Sequence, residues 1–325
     1  MPNDHYVSRT FPKHFGDDEG RLHAYSKKDG KYFRPRPDDV CREWNGDQNP
    51  AIEGMPEMLG AYRALFEPQW NQAVEELNRR NCDRSVRMLV ALCFANMVTL
   101  VPAWQRVSAD VWQNMKLAKL RFKNFINQER GVKDERLEKG LAAIQEGKIK
   151  LVADPNDIKA KMTGNLLGYA CLVYHSDFTF YENKTDIPFV AADNPVALKL
   201  SDTLGEAMIR FMPITPKLGL VMKLGAWDRK KGFPKEMNAI NQLLQEEPHG
   251  KVFGHNPSPD DVRKLNRLVV QCAENHVYSS RKDEGIEALV AKYGNYRIES
   301  SPREYRESAT SFIHGFVIEV RPRTD

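Results

Sequence analysis

The sequence predicts an α+β protein, with a mixed or antiparallel sheet built from N-terminal and C-terminal strands around a helical middle lobe. Three observations carry this. Residues 5–36 alternate short aromatic and aliphatic runs with turn residues, residues 56–168 repeat apolar positions every three or four, and the chain returns to strand-like runs after Phe178. The 325 residues have ample volume for a real core. We read them as a single large domain, 1–325, with a β-rich core from 1–50 and 178–325 and a helical lobe over 56–175.

In chain order, His5-Tyr6-Val7 and Arg21–Tyr25 are the first expected strands. Lys28-Asp29-Gly30 then forms a hairpin turn before Lys31–Arg34. Pro35 and Pro37 end this meander, and 45–56 is loop-like, rich in Gly, Asn and Pro. Met58, Tyr62, Leu65 and Phe66 open the helical pattern, which Pro68 interrupts. Helices are expected over 84–101, stopping at Pro102, then over 110–130 and 134–147. Another is capped by Asp154 or Asn156 and runs to Tyr174. Strands at 178–181 and 188–192 and a pair at 207–212 and 218–223 follow. Helices at 235–246 and 260–275 and a final strand at 312–320 complete the chain.

Composition narrows the function classes. A hydrophobic content of 41% against 28% charge marks a globular chain. The net charge of +4 permits an anionic partner without requiring one, being small against 48 basic and 44 acidic residues. Five scattered cysteines with no C-x-x-C spacing point to a reducing compartment and away from a zinc ribbon. The N-terminus lacks the basic and apolar regions of a secretory signal, and the apolar run Met88–Leu100 is too short to span a bilayer. The expectation is a cytoplasmic protein with no membrane partner.

The stretch Pro188–Val196 stands out because an apolar strand runs straight into Asp193-Asn194-Pro195. A carboxylate and an amide at a strand end can bind a divalent cation or hold a water. The same residues also make a structural Asx-Pro turn. His5 is a metal ligand or general base on one reading, and a half-buried structural histidine on the other. Glu43 could complete an acidic cluster with Asp38 and Asp39 or be a solvated loop charge, and Arg34 and Arg36 nearby could neutralise acids or contact phosphate. Lys116, Lys119, Arg121, Lys123 and Arg130, with Trp112 and Phe122, form a basic helical stretch. Such a stretch suits a nucleic-acid surface or a solvated helix face.

Several of these pieces together resemble a family catalogued as domain of unknown function 4238. Its members open with His-Tyr-Val-Pro, continue with a Gly-x-Leu-x-x-Tyr strand and later carry an aromatic strand ending in Ser-Asp-Asn-Pro-Val. The matching residues are His5-Tyr6-Val7 with Phe11 and Phe15, Gly20–Tyr25, and Pro188-Phe189 through Val196. Phe211–Pro216, and a helix with Asn266 and Ala273 followed by Val277-Tyr278-Ser279, are further similar points, so the resemblance covers roughly residues 5–280. Ser8 departs from the opening motif's Pro, Pro12 stands where an aliphatic residue is common, and Leu100-Val101-Pro102 replaces Arg-Thr-Pro. The resemblance implies no established reaction.

No G-x-x-x-x-G-K-[ST], H-E-x-x-H or G-x-S-x-G occurs, which removes most support for P-loop, zincin and hydrolase-elbow chemistry. The leading expectation is a metal-assisted hydrolase of an anionic substrate, foremost a nuclease or phosphodiesterase. Its cleft would be lined by His5, Glu43, Asp193 and Asn194. Asp193, Glu43 and His5 would hold Mg or Mn, His5 would double as base, and Tyr6, Arg34, Lys119 and Lys123 would meet the nucleic acid or nucleotide. The alternative is a non-catalytic binding or sensing module, of a defence or stress system, whose helical lobe holds a protein partner and whose Asp-Asn-Pro corner is structural.

Overall fold

In the computed structural model, which describes residues 3–44, 46–199, 209–223, 237–306 and 312–323, the first strand lies two residues ahead of its expected place at His5–Val7. β1 (Asn3–His5) pairs antiparallel with β4 (Arg42–Trp44), and the ladder stops beyond His5 because Cys41 takes a positive φ of 56°. Val7 then turns fully into the core. α1 (Thr10–Lys13) leads to β2 (His23–Ser26), and the turn with Gly30 at φ +68° returns the chain as β3 (Tyr32–Phe33). β4 was expected as loop; its Arg42-Glu43-Trp44 run is too short to show a period.

The helical lobe is close to expectation. α2 (Met58–Ala64), α3 (Trp70–Asn78) and α4 (Arg84–Thr99) follow one another, and α4 is buried along most of its length. Pro102 opens α5 (Pro102–Glu129) rather than merely ending α4, since a proline at the first helical position has no hydrogen bond to lose. Asp134 caps α6 (Glu135–Gln145), its carboxylate accepting from Leu137 N–H at 3.0 Å. Asp154 caps α7 (Pro155–Gly164), which breaks at Asn165 into α8 (Leu166–Tyr174). Among the described residues no single helix is long and apolar enough to cross a membrane.

The C-terminal half supplies β5 (Asp177–Glu182), β6 (Ala191–Ala192), β7 (Ala197–Lys199), β8 (Ile209–Thr215) and β9 (Leu218–Lys223). These lead to α9 (Met237–Gln245), β10 (Val252–His255), α10 (Pro259–Cys272) and β11 (His276–Ser279). α11 (Glu284–Tyr293) and a long hairpin of β12 (Tyr296–Arg306) and β13 (Phe312–Pro322) end the chain. Asn45, Ala207, Met208, Lys235 and Glu236, expected in these connections and element ends, lie outside the described residues.

N-terminal and C-terminal strands do share a sheet, in the order β3-β2-β11-β6, antiparallel throughout. The other C-terminal strands form a separate sheet, β10-β5-β9-β8-β7, in which only β10 runs parallel to its neighbour. The stretch at 188–192 is the reason one sheet does not continue into the other. Only Ala191 and Ala192 pair with a strand. Upstream, the buried Asn266 on α10 takes the place of a neighbouring strand. Its Oδ1 accepts from Val190 N–H at 3.2 Å and its Nδ2 donates to Pro188 C=O at 2.8 Å.

Replacing Asn266 by Leu keeps the branched outline of the side chain and leaves a buried N–H and a buried C=O unpaired. Urea unfolding should show a loss of about 3 kcal/mol at unchanged helix and strand content. A loss below about 1 kcal/mol would mean that the strand does not depend on this side chain.

Candidate functional site

Asp193 and Asn194 sit where β6 ends, and both are buried. The Asp193 carboxylate closes the turn between α10 and β11. Oδ1 accepts from Glu274 N–H at 2.9 Å, and Oδ2 from Asn275 N–H at 2.7 Å and His276 N–H at 3.2 Å. Asn194 Nδ2 donates to Cys272 C=O at 2.9 Å and so caps the end of α10. Burial pushes the Asp193 carboxyl up, while His276 and the Asn275 and Glu274 amides pull it back toward the ionised form. The corner is structural, but not as the expected Asx-Pro turn on its own backbone: the Asp193 carboxylate holds the amides of residues 274–276. The buried Lys27 lies close enough to feel Asp193, donating to Ala273 C=O and Tyr296 C=O at 2.6 Å each. Burial lowers Lys27 to about 8 against the pull of the Asp193 charge.

Glu43 is separated from His5 by the strand pairing itself. In the β1–β4 ladder His5 faces Arg42 and Asp4 faces Glu43, and cross-strand partners share a face while neighbours alternate. Glu43 is therefore on the other side of the ribbon, paired with Lys159 of α7 at 2.9 Å. The ligand set His5, Glu43 and Asp193 does not fit a divalent cation, because Asp193 is taken up by backbone amides and Glu43 by a lysine. Among the described residues no three of His, Cys, Asp and Glu are grouped to hold a metal.

The expected substrate contacts also divide. Tyr6 points inward to a buried pair, Cys41 and Tyr278, whose Sγ and hydroxyl are 3.6 Å apart, and burial raises its hydroxyl well above the usual range. Burial likewise pushes the Cys41 thiol up to about 12, too high for a nucleophile. Arg34 is held by Asp17 and, at 3.2 Å, by Glu19. Lys119 and Lys123 are exposed on α5, Lys123 within 3.7 Å of Asp134. Leu100 and Val101, where the resemblance expects Arg-Thr, are packed in the core.

His5 alone of the four expected cleft residues lines a cleft of about 420 Å³, between the β1–β4 ribbon and α2. Its Nε2–H donates to Asp38 C=O at 3.0 Å, which fixes the tautomer and leaves Nδ1 as the lone-pair nitrogen. Nδ1 has no hydrogen-bond partner among the described residues. Burial lowers the His5 pKa below 6.5, helped by the charges of Arg42 and Arg9, so the ring is neutral at neutral pH. Arg9, Arg42 and Arg63 share the cleft with Asp4, Asp47 and Glu67. Arg63 is nearly buried, ion-paired with Asp47 and directed at Asn96 Oδ1 at 3.4 Å. Arg9 is exposed and has no ion-pair partner among the described residues. Burial raises both the Glu67 and the Asp47 carboxyls.

The sequence reading missed Arg9, Arg42, Arg63 and Glu67. The signal for Arg63 was present: the buried face of α2 is Leu59, Tyr62 and Arg63, continuing to Phe66, and a cation inside an apolar stripe needs a buried partner. Leu65, expected on that stripe, is exposed instead. Arg9 gives no such signal, because its place in the cleft depends on the turn after Val7.

Two outcomes test the structural role of the corner. Asp193→Ala leaves three amides of a part-buried turn without their acceptor and should cost about 3 kcal/mol in urea unfolding. Lys27 is lowered to about 8 when folded against an ordinary 10.5, so the unfolded chain holds more protons between those values. Stability should therefore rise with pH across that window, and the rise should vanish in Lys27→Met. A wild-type stability flat over the same window would contradict the burial of Lys27.

A family model, Protein of unknown function (DUF4238), matches residues 3–283, which contain both the His5 cleft and the Asp193 corner. No curated protein and no solved structure matches the chain. The family model covers most of the chain, from β1 through β11, and the chain belongs to the DUF4238 family.

Proposed function

We propose that the cleft between the β1–β4 ribbon and α2 binds a phosphate-bearing ligand. The observation that carries this is the convergence of Arg9, Arg42 and Arg63 with a neutral His5 in one polar cleft. Guanidinium groups bind phosphate oxygens through paired, charge-assisted hydrogen bonds. Arg63 is already oriented by Asp47, and Arg9 is the cation with no competing acid bonded to it. This is the binding-module reading, supported by the structural use of the Asp193 corner.

Hydrolysis of a phosphodiester is the second reading, and the His5 ring favours it. A neutral imidazole with a fixed tautomer and an unpartnered Nδ1 can take a proton from an attacking hydroxyl or water. The arginines would then stabilise charge developing on the phosphoryl oxygens. No step in this reading runs through a metal held by Asp193 or Glu43.

Calorimetry with nucleoside mono- and triphosphates, with and without Mg²⁺ or Mn²⁺, tests the binding. Arg9→Ala should weaken it about tenfold, the equivalent of one charge-assisted hydrogen bond. Hydrolysis of a dinucleotide, if His5 is the base, should be lost in His5→Ala with binding retained. Its rate should climb with pH and level off below 6.5, the limit set by the lowered His5 pKa. Unchanged binding in Arg9→Ala would overturn the assignment of this cleft.

A further inference from the structure

The α5 helix carries a basic stripe that leads away from the β1–β4 ribbon. Gln105, Trp112, Lys116, Lys119, Lys123 and Arg130 recur at steps of seven, four, three, four and seven, which places them on one face. Over 25 residues that face extends about 38 Å at the helical rise. Residues 111–130 contain five cations against the single acid Glu129, a surplus equal to the +4 of the whole chain. Only Lys123 of these cations is ion-paired among the described residues, with Asp134 at 3.7 Å. Lys116 and Lys161 stand over the Trp112 ring, 5.2 and 5.3 Å from its centre, and gather further charge at the middle of the stripe.

At its inner end the stripe enters a second groove of about 440 Å³, on the Glu43 side of the ribbon. Gln105 lines that groove together with Trp44, Gln48 and Asn156, and the Glu43–Lys159 pair there is internally neutralised. Trp44 is 69% exposed at the end of β4, an open indole face with no apolar cover. Phe122 and Phe125 are also exposed on α5 but project from another side of the helix than the stripe. An extended row of cations that leads to the open indole of Trp44 matches a single-stranded nucleic acid, whose phosphates repeat along a line and whose bases stack without sequence preference.

We infer that the α5 stripe docks the phosphate backbone of a single-stranded nucleic acid, with a base stacked on Trp44 at its ribbon end. The stripe leads to the Trp44 groove and not to the His5 cleft, so this inference goes beyond the proposed function and does not rest on it.

The test is fluorescence anisotropy of the full chain with a labelled oligouridine or oligothymidine strand at several salt concentrations. Lys116→Gln/Lys119→Gln/Lys123→Gln should weaken binding at least tenfold. It should also lower the slope of log affinity against log salt by about 2, for three lost phosphate contacts. Lys133→Gln/Lys139→Gln/Lys148→Gln removes equal charge from ion-paired lysines off the stripe and should leave both quantities nearly unchanged. Trp44→Ala should weaken binding about tenfold at unchanged slope, because stacking is uncharged. Equal losses in the two triple variants, no binding of the strand by the wild type, or capture of phosphatidylserine vesicles in its place would overturn the inference. Mononucleotide binding measured on the same variants separates the two sites. Its absence refutes the cleft, whereas an undiminished strand affinity in the stripe variant refutes the stripe.

Discussion

The carboxylate of Asp193, closed on three backbone amides, is the constraint from which much of the remaining geometry follows. It holds the turn between α10 and β11, and that turn is a junction. Glu274 within it takes a two-point ion pair from Arg106 of α5, at 3.1 and 3.0 Å, and its carbonyl accepts from Arg323 after β13. Arg106 also reaches Ile298 C=O of β12 at 2.8 Å. One buried acid thus couples the strand at 188–192, the C-terminal hairpin and the base of the longest helix. A buried carboxylate is costly unless every oxygen is bonded, and here the bonds come from backbone that has no other partner.

This arrangement leaves the chemistry to the periphery. The corner that looked most like a site is dry, with Asn194 and Asn266 stitching the same strand to α10. Near the first strand, His5 offers one ring lone pair and Arg9 has no ion-pair partner among the described residues. Two clefts flank the β1–β4 ribbon. His5 and the arginines line one, and Glu43, Trp44 and Gln105 line the other. Because Arg106 fixes the root of α5, the direction of the basic stripe is set by the same turn that Asp193 closes.

Much of the architecture could be read directly. Gly30, Pro102, Asp134 and Asp154 each act locally, through a turn, a helix start or a cap, and their elements lie where local chemistry puts them. β4, β7, β10 and β11 were missed, because strands of three or four residues take their identity from the neighbour they pair with; α11 and the longer β12 were missed as well. The described strands form four sheets instead of the expected one, and between the two larger sheets the side chain of Asn266, 76 residues from Val190, stands in for a ladder.

The site divides along the same line. Sequence by itself determined the residue types, the family pattern from His5 to Ser279, the helical periods and the surplus of positive charge between 111 and 130. These are properties of order along the chain, and a 3.6-residue period turns them into faces without further information. Tertiary structure alone decided which acids were free. Asp193 and Glu43 differ little as letters, yet one is bonded to amides of a turn 81 to 83 residues away and the other to a lysine 116 residues away. Whether a carboxylate can hold a substrate depends on which partners folding brings to it, and that is a property of distance in space.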